Sequence, residues 1–377
     1  MEYHQQLNLP GFENLPRVVF ILSKRLKGTM VAFRRIRVKR EVAGSFLLNP
    51  DRHWQRKAVV TKSGKTIITY KPSRELKKFQ WKIVRYITRV NQGLNKTILP
   101  VPNPANEYTR DLASTKFATA FSKGSSVVRN GLAHLDMRSS VSFDLRRAFE
   151  SIKRKHLQCF LRRLGFPNDV AWVFSKLLTY KGRLQRGASC SAHVFNLLLA
   201  RLDKQITEAV GVKELEYLSR EWADKKGRED KLWWYSREMF DRIRNKKMAY
   251  TRYGDDICVS SAEQEFPPQL IAAIRNAILS EGFQIRDTKT RICQNGVLEL
   301  PGVVIVGNVV RPRKSYLIRL ARLIAAGSLT QEQLHGHLAF ICSFPRRSQK
   351  GAYSFLKKTL GNGVNLLVFR RPYEPLF

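Results

Sequence analysis

The stretch "AYTRYGDDICVSS", residues 249–261, decides how the rest of the chain is read. Ala249, Tyr250 and Tyr253 before its centre, with Ile257 and Val259 after it, have the apolar and aromatic character of two paired strands. Gly254 and Asp255 then fall at the turn, and the hairpin presents Asp255 and Asp256 at its tip. Carboxylates so close repel unless a cation neutralises them, and oxygen-only ligands suit Mg²⁺, which also takes substrate phosphates. Gly-Asp is equally an ordinary hairpin turn, so the tetrad alone leaves both readings open.

A partner carboxylate is available at Asp144, in "SSVSFDLRRAFESI", residues 139–152. Val141 to Leu145 has strand character, and a helical pattern opens at Ser151-Ile152-Lys153 and runs to Leu164, with Gly165 as its left-handed terminator. Asp144 is therefore expected at the carboxyl end of a strand. Two-metal phosphoryl transfer needs one carboxylate bridging both ions and another completing a site, with the ions about 3.5–4 Å apart. Asp144 and Asp255 can serve only if their strands are neighbours in one sheet; otherwise Asp144 is a turn residue.

With these two segments included, seven stretches in order between Val59 and Leu323 resemble a bacterial retron-like reverse transcriptase of the defence-associated or abortive-infection group. "KSGKTIITYKPSRELKKFQ" (62–80) is similar to the family's fingers hairpin and following helix, and "AFSKGSSVVRNGLAHL" (120–135) to the segment before the first catalytic strand. "FDLRRAF" (143–149) resembles the first catalytic motif, "LQRGASCSAHVFNLLLARLD" (184–203) the template and primer helix, and Tyr253-Gly254-Asp255-Asp256 the second acid pair. "GFQIRDTKTRI" (282–292) and "LPGVVIVGNVVRPRK" (300–314) match the last two palm motifs. Departures point to a sister group of the retron enzymes. Gln185-Arg186-Gly187 stands where Pro-Gln-Gly is usual, and Gly254 where retron enzymes have Ala. Asn130-Gly131 replaces Asn-Ala, and Leu300-Pro301-Gly302 replaces Val-Thr-Gly.

The resemblance implies an α+β right-hand polymerase fold, with fingers and a palm built on an antiparallel catalytic sheet packed on helices, and a helical thumb. It implies two Mg²⁺ ions, with Mn²⁺ able to substitute, held by Asp144, Asp255, Asp256 and the Leu145 carbonyl. Phe149 matches a steric gate against the ribose 2′-hydroxyl, though a core aromatic would look the same. Lys65 is read as a triphosphate clamp, and Arg186 as a phosphate grip in place of an amide. Gly187 keeps a close backbone approach. Lys289 is similar to the lysine that shields or protonates pyrophosphate, or is simply solvated. Incoming dNTPs and a structured, dedicated non-coding RNA, copied into an RNA/DNA hybrid, are the implied partners, together with a protein partner or a second copy of the chain. An anti-phage role follows by analogy.

Composition agrees. Lys and Arg outnumber Asp and Glu by 68 to 30 in 377 residues, a formal charge of +38 that calls for a polyanionic partner. Lys24 to Arg40 holds eight cations and no acid, and beyond Gly302 the only acids are Glu332 and Glu374. Lys24, Arg25, Arg34, Arg35 and Arg37 at one end, with Arg311, Arg313 and Lys314 at the other, are the candidate RNA contacts. No apolar run approaches 18 residues and the N-terminus has no signal-peptide pattern, so no membrane partner is expected. Five single cysteines fit a reducing cytoplasm rather than a disulfide framework or a zinc site.

The organisation expected is a basic extension over 1–56, fingers and palm over 57–300, and the palm's end with a helical thumb over 301–377. A charged stretch with Trp222, Trp233 and Trp234 near 214–247 reads as an insertion, its indoles packing or stacking on a partner. Helical spacing in "YLIRLARLIAAG", "QEQLHGHLAFI" and "AYSFLKKTLG" predicts three thumb helices, with no RNase H domain after them. An RNA-directed DNA polymerase is the leading function. An RNA-dependent RNA polymerase and a catalytically silent RNA-binding or splicing factor are the alternatives. Ala148 and Phe149, where RNA polymerases commonly place a second acid, favour DNA synthesis.

Overall fold

The computed structural model describes residues 32–33, 36–37, 40–60, 64, 66–91, 117–121, 125–212 and 247–360. In chain order the elements are α1 (Arg40–Leu48), β1 (Trp54–Val60), β2 (Thr66–Pro72), α2 (Arg74–Asn91), α3 (Val127–Leu132), β3 (Ser139–Asp144), α4 (Ala148–Ser151), α5 (Arg154–Arg163), α6 (Asn168–Leu178), α7 (Ser191–Leu198) and α8 (Ala200–Ala209). There follow β4 (Met248–Tyr253), β5 (Asp256–Ser261), α9 (Pro268–Ser280), β6 (Arg291–Cys293), β7 (Val297–Leu300), β8 (Val303–Val306), β9 (Val309–Pro312), α10 (Lys314–Ala325), α11 (Gln331–Cys342) and α12 (Arg346–Leu360). Two compact units divide them: Met1–Ala113 with Arg147–Leu198, and Ser114–Arg146 with Leu199–Phe377.

In the first unit the expected hairpin is an antiparallel ribbon, registered from Trp54↔Pro72 to Val60↔Thr66, with β1 opening at Trp54. Leu76, Phe79, Ile83, Val84 and Ile87 recur every three or four residues along α2 and are buried. Gln80 is buried among them and satisfied at both ends: its amide donates to the Leu177 carbonyl (2.9 Å) and its carbonyl accepts from Cys190 Sγ (3.2 Å). The single helical pattern expected from Ser151 to Leu164 is broken in the structure. Ile152 is extended, and a short ladder forms instead, with Leu184 N–H donating to Ile152 O (2.9 Å) and Arg154 N–H to Gly182 O (2.8 Å). Gly165 ends α5 at φ +87° as expected.

In the second unit β4, β5, β3 and β6 form one antiparallel sheet in that order. Its central strand is dry on both faces: Ile257, Val259 and Ser260 are fully buried. Buried His134 links this strand to β4, sitting 2.6 Å from Ser260 Oγ through Nδ1 and 2.7 Å from Thr251 Oγ1 through Nε2. A second sheet, β7-β8-β9, is a meander against which α3 packs. The three expected helices α10, α11 and α12 share a core of Leu317, Leu320, Ile341, Ala352 and Leu356. Thr330 caps α11 through a reciprocal pair with Gln333.

One ion pair anchors the sheet to its helix. Arg252 on β4 and Asp203 on α8 are both fully buried, and Arg252 donates from Nε to Oδ1 (2.7 Å) and from Nη2 to Oδ2 (2.8 Å). Tyr250 donates to the same Oδ1 (2.6 Å), and Arg252 Nη1 reaches the carbonyl of Gly254 (3.2 Å). Burial alone would lower the Arg252 pKa; the Asp203 charge overrides it and leaves the guanidinium more firmly protonated than usual.

Removing Asp203 with Asp203→Ala is expected to cost about 3–5 kcal/mol, because a desolvated guanidinium is left unanswered. Replacing both partners together, Asp203→Leu with Arg252→Met, should recover most of that loss in urea melts. A Cβ at Gly131 would lie 2.9 Å from Val310 Cγ1 and 3.2 Å from Val303 Cγ2. Gly131→Ala should therefore lower the urea midpoint by the equivalent of about 1–2 kcal/mol, although Ala favours a helix.

Candidate active site

The end of the sheet is stitched by backbone before any side chain is considered. Asp144 is the last residue of β3 and faces Asp256, the first of β5, in the antiparallel register. Leu145 N–H donates to Asp255 O (3.1 Å), Arg286 N–H to Asp144 O (2.9 Å) and Arg146 N–H to Gln284 O (2.7 Å). Tyr253 pairs with Asp256, so the connection is the two-residue turn Gly254-Asp255. Of those two only Gly254 has positive φ (+68°), the pattern of a type II′ hairpin, which a glycine adopts without strain. Directly opposed residues of an antiparallel pair hold their Cβ atoms about 4.5–5.5 Å apart. The register thus delivers Asp144 and Asp256 to one end of the sheet, beside the Asp255 turn.

Three carboxylates at one place leave an electrostatic signature. Burial first, then the charges of Asp255 and Asp144, raise the Asp256 pKa to about 6, with Lys289 and Arg313 pulling it back. The carboxylate of Asp144, only 10% exposed, accepts from Lys289 Nζ at 2.6 Å and lies 3.6 Å from Arg286 Nη1. Among the described residues no three His, Cys, Asp or Glu side chains are already gathered in metal-ligating geometry. The donor set still fits a hard divalent cation in kind: it consists of carboxylate oxygens, its negative charges are crowded, and the strain on Asp256 is of the sign that a cation relieves.

The remaining residues singled out in the sequence fall in several places. Phe149 on α4 is buried and stacks on Phe195 (centroids 4.5 Å apart, planes at 20°), with the Arg186 guanidinium 6.0 Å from its ring centre. Arg186 also pairs with Glu150 at 3.7 Å. Gly187, at φ +100°, leaves room for β2, since a Cβ there would lie 3.3 Å from that of Thr69. Arg311 and Lys314 are exposed. Arg313 is drawn inward and donates twice to the Leu300 carbonyl (2.7 and 3.2 Å). Arg37 has φ +52°, and its carbonyl accepts from Lys82. Lys24, Arg25, Arg34, Arg35, Lys65 and the stretch 214–246 lie outside the described residues. Two groups at the site escaped the sequence reading. Arg286 stands three residues before Lys289, a spacing that placed it in the same motif. Phe121 has its ring edge 3.2 Å from where a Gly254 Cβ would be.

The five cysteines are free thiols, and no described helix is long and apolar enough to cross a membrane. A family model for reverse transcriptase (RNA-dependent DNA polymerase) matches residues 71–305. The retron Ec86 reverse transcriptase of Escherichia coli is 24% identical over 294 residues, covering 77% of this chain and 75% of that protein. The retron Mx162 reverse transcriptase of Myxococcus xanthus is 24% identical over 217 residues, covering 50% of this chain and 38% of that one. Among solved structures, a telomerase from Candida albicans aligns with a TM-score of 0.43 at 10% identity, over 81% of this chain and 52% of that one. The family match spans most of the chain and includes both acidic motifs and the sheet that joins them. The chain belongs to the reverse transcriptases, the RNA-dependent DNA polymerases.

Proposed function

We propose that the chain extends DNA on a structured, dedicated RNA template, with nucleotidyl transfer at the acidic end of the β3–β5 pair. The observation that carries this reading is the register Asp144↔Asp256 beside the Gly254-Asp255 turn. Asp144, Asp255, Asp256 and the Leu145 carbonyl would hold two Mg²⁺ ions, or Mn²⁺ in their place. Bound there, such ions supply activation of a 3′-hydroxyl and neutralisation of a triphosphate.

The protein's own groups prepare the rest. Lys289, with its ammonium 2.6 Å from Asp144, is a cation beside the carboxylates, suited to shielding or protonating pyrophosphate as it leaves. Arg286 offers the same charge without a transferable proton. Phe149, fixed by its stack on Phe195, acts as the sugar gate, because a ring held in one place excludes a 2′-hydroxyl more reliably than a free one. Arg186 and Gly187 contribute a phosphate grip and close backbone approach, and Lys65 a triphosphate clamp. In this scheme 57–300 supplies fingers and palm, 301–377 the palm's end and thumb, and 1–56 a basic extension carrying Lys24, Arg25, Arg34, Arg35 and Arg37. Arg311, Arg313 and Lys314 serve the template, and a defence role follows from the resemblance to retron-like enzymes. RNA synthesis is the second reading, and the absence of an acid at Ala148 and Phe149 weighs against it.

Asp255→Asn should abolish dNTP incorporation while changing RNA affinity less than about threefold; retained incorporation would remove Asp255 from the site. Phe149→Ala should raise ribonucleotide incorporation relative to deoxyribonucleotide by about tenfold or more, the cost of an unopposed hydroxyl clash, in a protein whose melting transition remains cooperative. Unchanged sugar selectivity would reduce Phe149 to a packing residue.

A further inference from the structure

The first unit contains a basic cleft of about 370 Å³ lined by Lys153, Arg154, Lys155, Gln158, Lys181, Gly182 and Arg183. Five of these seven residues are cations and none is an acid. Lys153, Lys155, Lys181 and Arg183 are exposed, and among the described residues no carboxylate pairs with any of the five cations.

The cleft is built rather than incidental. One wall is the start of α5. The other is the tight turn Lys181-Gly182, where both residues have positive φ (+49° and +72°) and Tyr180 and Arg183 exchange backbone hydrogen bonds at 3.0 Å. That is the geometry of a type I′ hairpin, which a lysine enters only under constraint. The two walls are tied by the ladder that breaks the helical pattern, Arg154 N–H to Gly182 O and Leu184 N–H to Ile152 O. Arg183 donates to the Glu150 carbonyl (2.7 Å), and Lys181 Nζ lies 5.6 Å from the rings of both Tyr70 and Tyr180. Like charge is held together here against its own repulsion. The imidazole of His156 is kept below its ordinary pKa by burial and then by Lys153 and Lys155, and the Lys176 ammonium by burial and then by Arg154.

We propose that this cleft is a binding site for the phosphate backbone of RNA, separate in its residues from the contacts named above. Fixed cations on two tied walls, with no internal counter-charge, match a ligand that brings several phosphates in sequence. A lone phosphate would need two or three of them, and the cleft's own lining of lysine, arginine, glutamine and glycine includes no aliphatic or aromatic residue to anchor a peptide's apolar side chains. This inference rests on the proposed RNA template only in naming the ligand.

The test uses the full-length chain with Asp255→Asn to silence synthesis, and a blunt RNA hairpin as probe across a salt series. Wild-type lining should bind with a steep salt dependence. Lys153→Gln, Lys155→Gln and Lys181→Gln together should weaken binding by about tenfold or more and flatten the log–log salt slope by about 3, one for each phosphate no longer neutralised. The arginine triple at the same positions should restore both. A control that removes equal charge, Lys77→Gln, Lys78→Gln and Arg162→Gln, should leave the slope close to wild type. An unchanged slope in the cleft variant, or an equal fall in the control, overturns the site. So does retained RNA binding alongside lost poly-glutamate binding, which would assign the cleft to an acidic protein. A DNA hairpin bound as tightly as the RNA, and lost equally, would overturn the choice of RNA. If the wild-type lining itself fails to bind RNA, the proposed template falls, and that result is distinct from a variant that binds as the wild type does.

Discussion

A guanidinium with no exposed surface has one stable arrangement, in which a carboxylate meets it edge to edge and every remaining N–H finds an acceptor. Arg252 and Asp203 meet edge to edge in this way, and Nη1 donates to the carbonyl of Gly254. The same charge that ties α8 to β4 therefore also holds the turn between β4 and β5. Such a pair contributes little net stability over an apolar replacement. What it confers is position, because the hydrogen bonds are satisfied only when α8, β4 and the turn are all in one register. Tyr250, bonded to the same Asp203 oxygen, allows still less freedom.

That constraint matters because the groups it positions would otherwise move apart. The chain has an excess of 38 positive charges, yet it gathers three aspartates at one sheet end. Lys289 and Arg286 reduce the resulting repulsion locally, and the backbone bonds from Leu145 to Asp255 and from Arg286 to Asp144 hold the strand ends against the rest. Asp256 still carries the residue of that repulsion in its raised pKa, with burial as the larger cause. That raised pKa has the sign that further positive charge at the strand ends would relieve.

Much of this was legible in the sequence, for reasons particular to each element. The hairpin around Gly254 was readable because β-prone runs on both sides bracket a glycine turn, and Asp144 because its strand ends where a helical pattern begins. The helices α10, α11 and α12 followed from apolar spacing and from Gly327. The Arg252–Asp203 pair was not readable, since an arginine in a strand normally alternates outward. Only the burial of Ala249, Tyr250 and Thr251 on both faces of β4 reveals that no outward side exists there. The break at Ile152 was equally hidden. Helical propensity continues through it, and the competing ladder to 182–184 is a tertiary contact. Nor did the basic run around Arg313 reveal that this residue is half-buried and donates to the Leu300 carbonyl.

Two of the departures from the retron pattern, Gly131 and Gly254, share a structural feature. At two positions where the resembling enzymes carry alanine, this chain carries glycine, and at both the space for a Cβ is filled by a neighbour. Val310 Cγ1 stands 2.9 Å from the missing atom at Gly131, and Phe121 Cε2 stands 3.2 Å from it at Gly254. The second case is the more informative, because Phe121 is itself held at φ +61° and remains 45% exposed. A large ring kept in a strained backbone conformation, partly in water and against the acidic turn, is retained only if the surrounding structure fixes it there. Glycine at 254 thus does two things: it enters the type II′ turn without strain and admits the ring to the turn's flank. An alanine would have to do without the ring at that distance or displace it. At both positions the glycine and the side chain beside it therefore fit only as a pair.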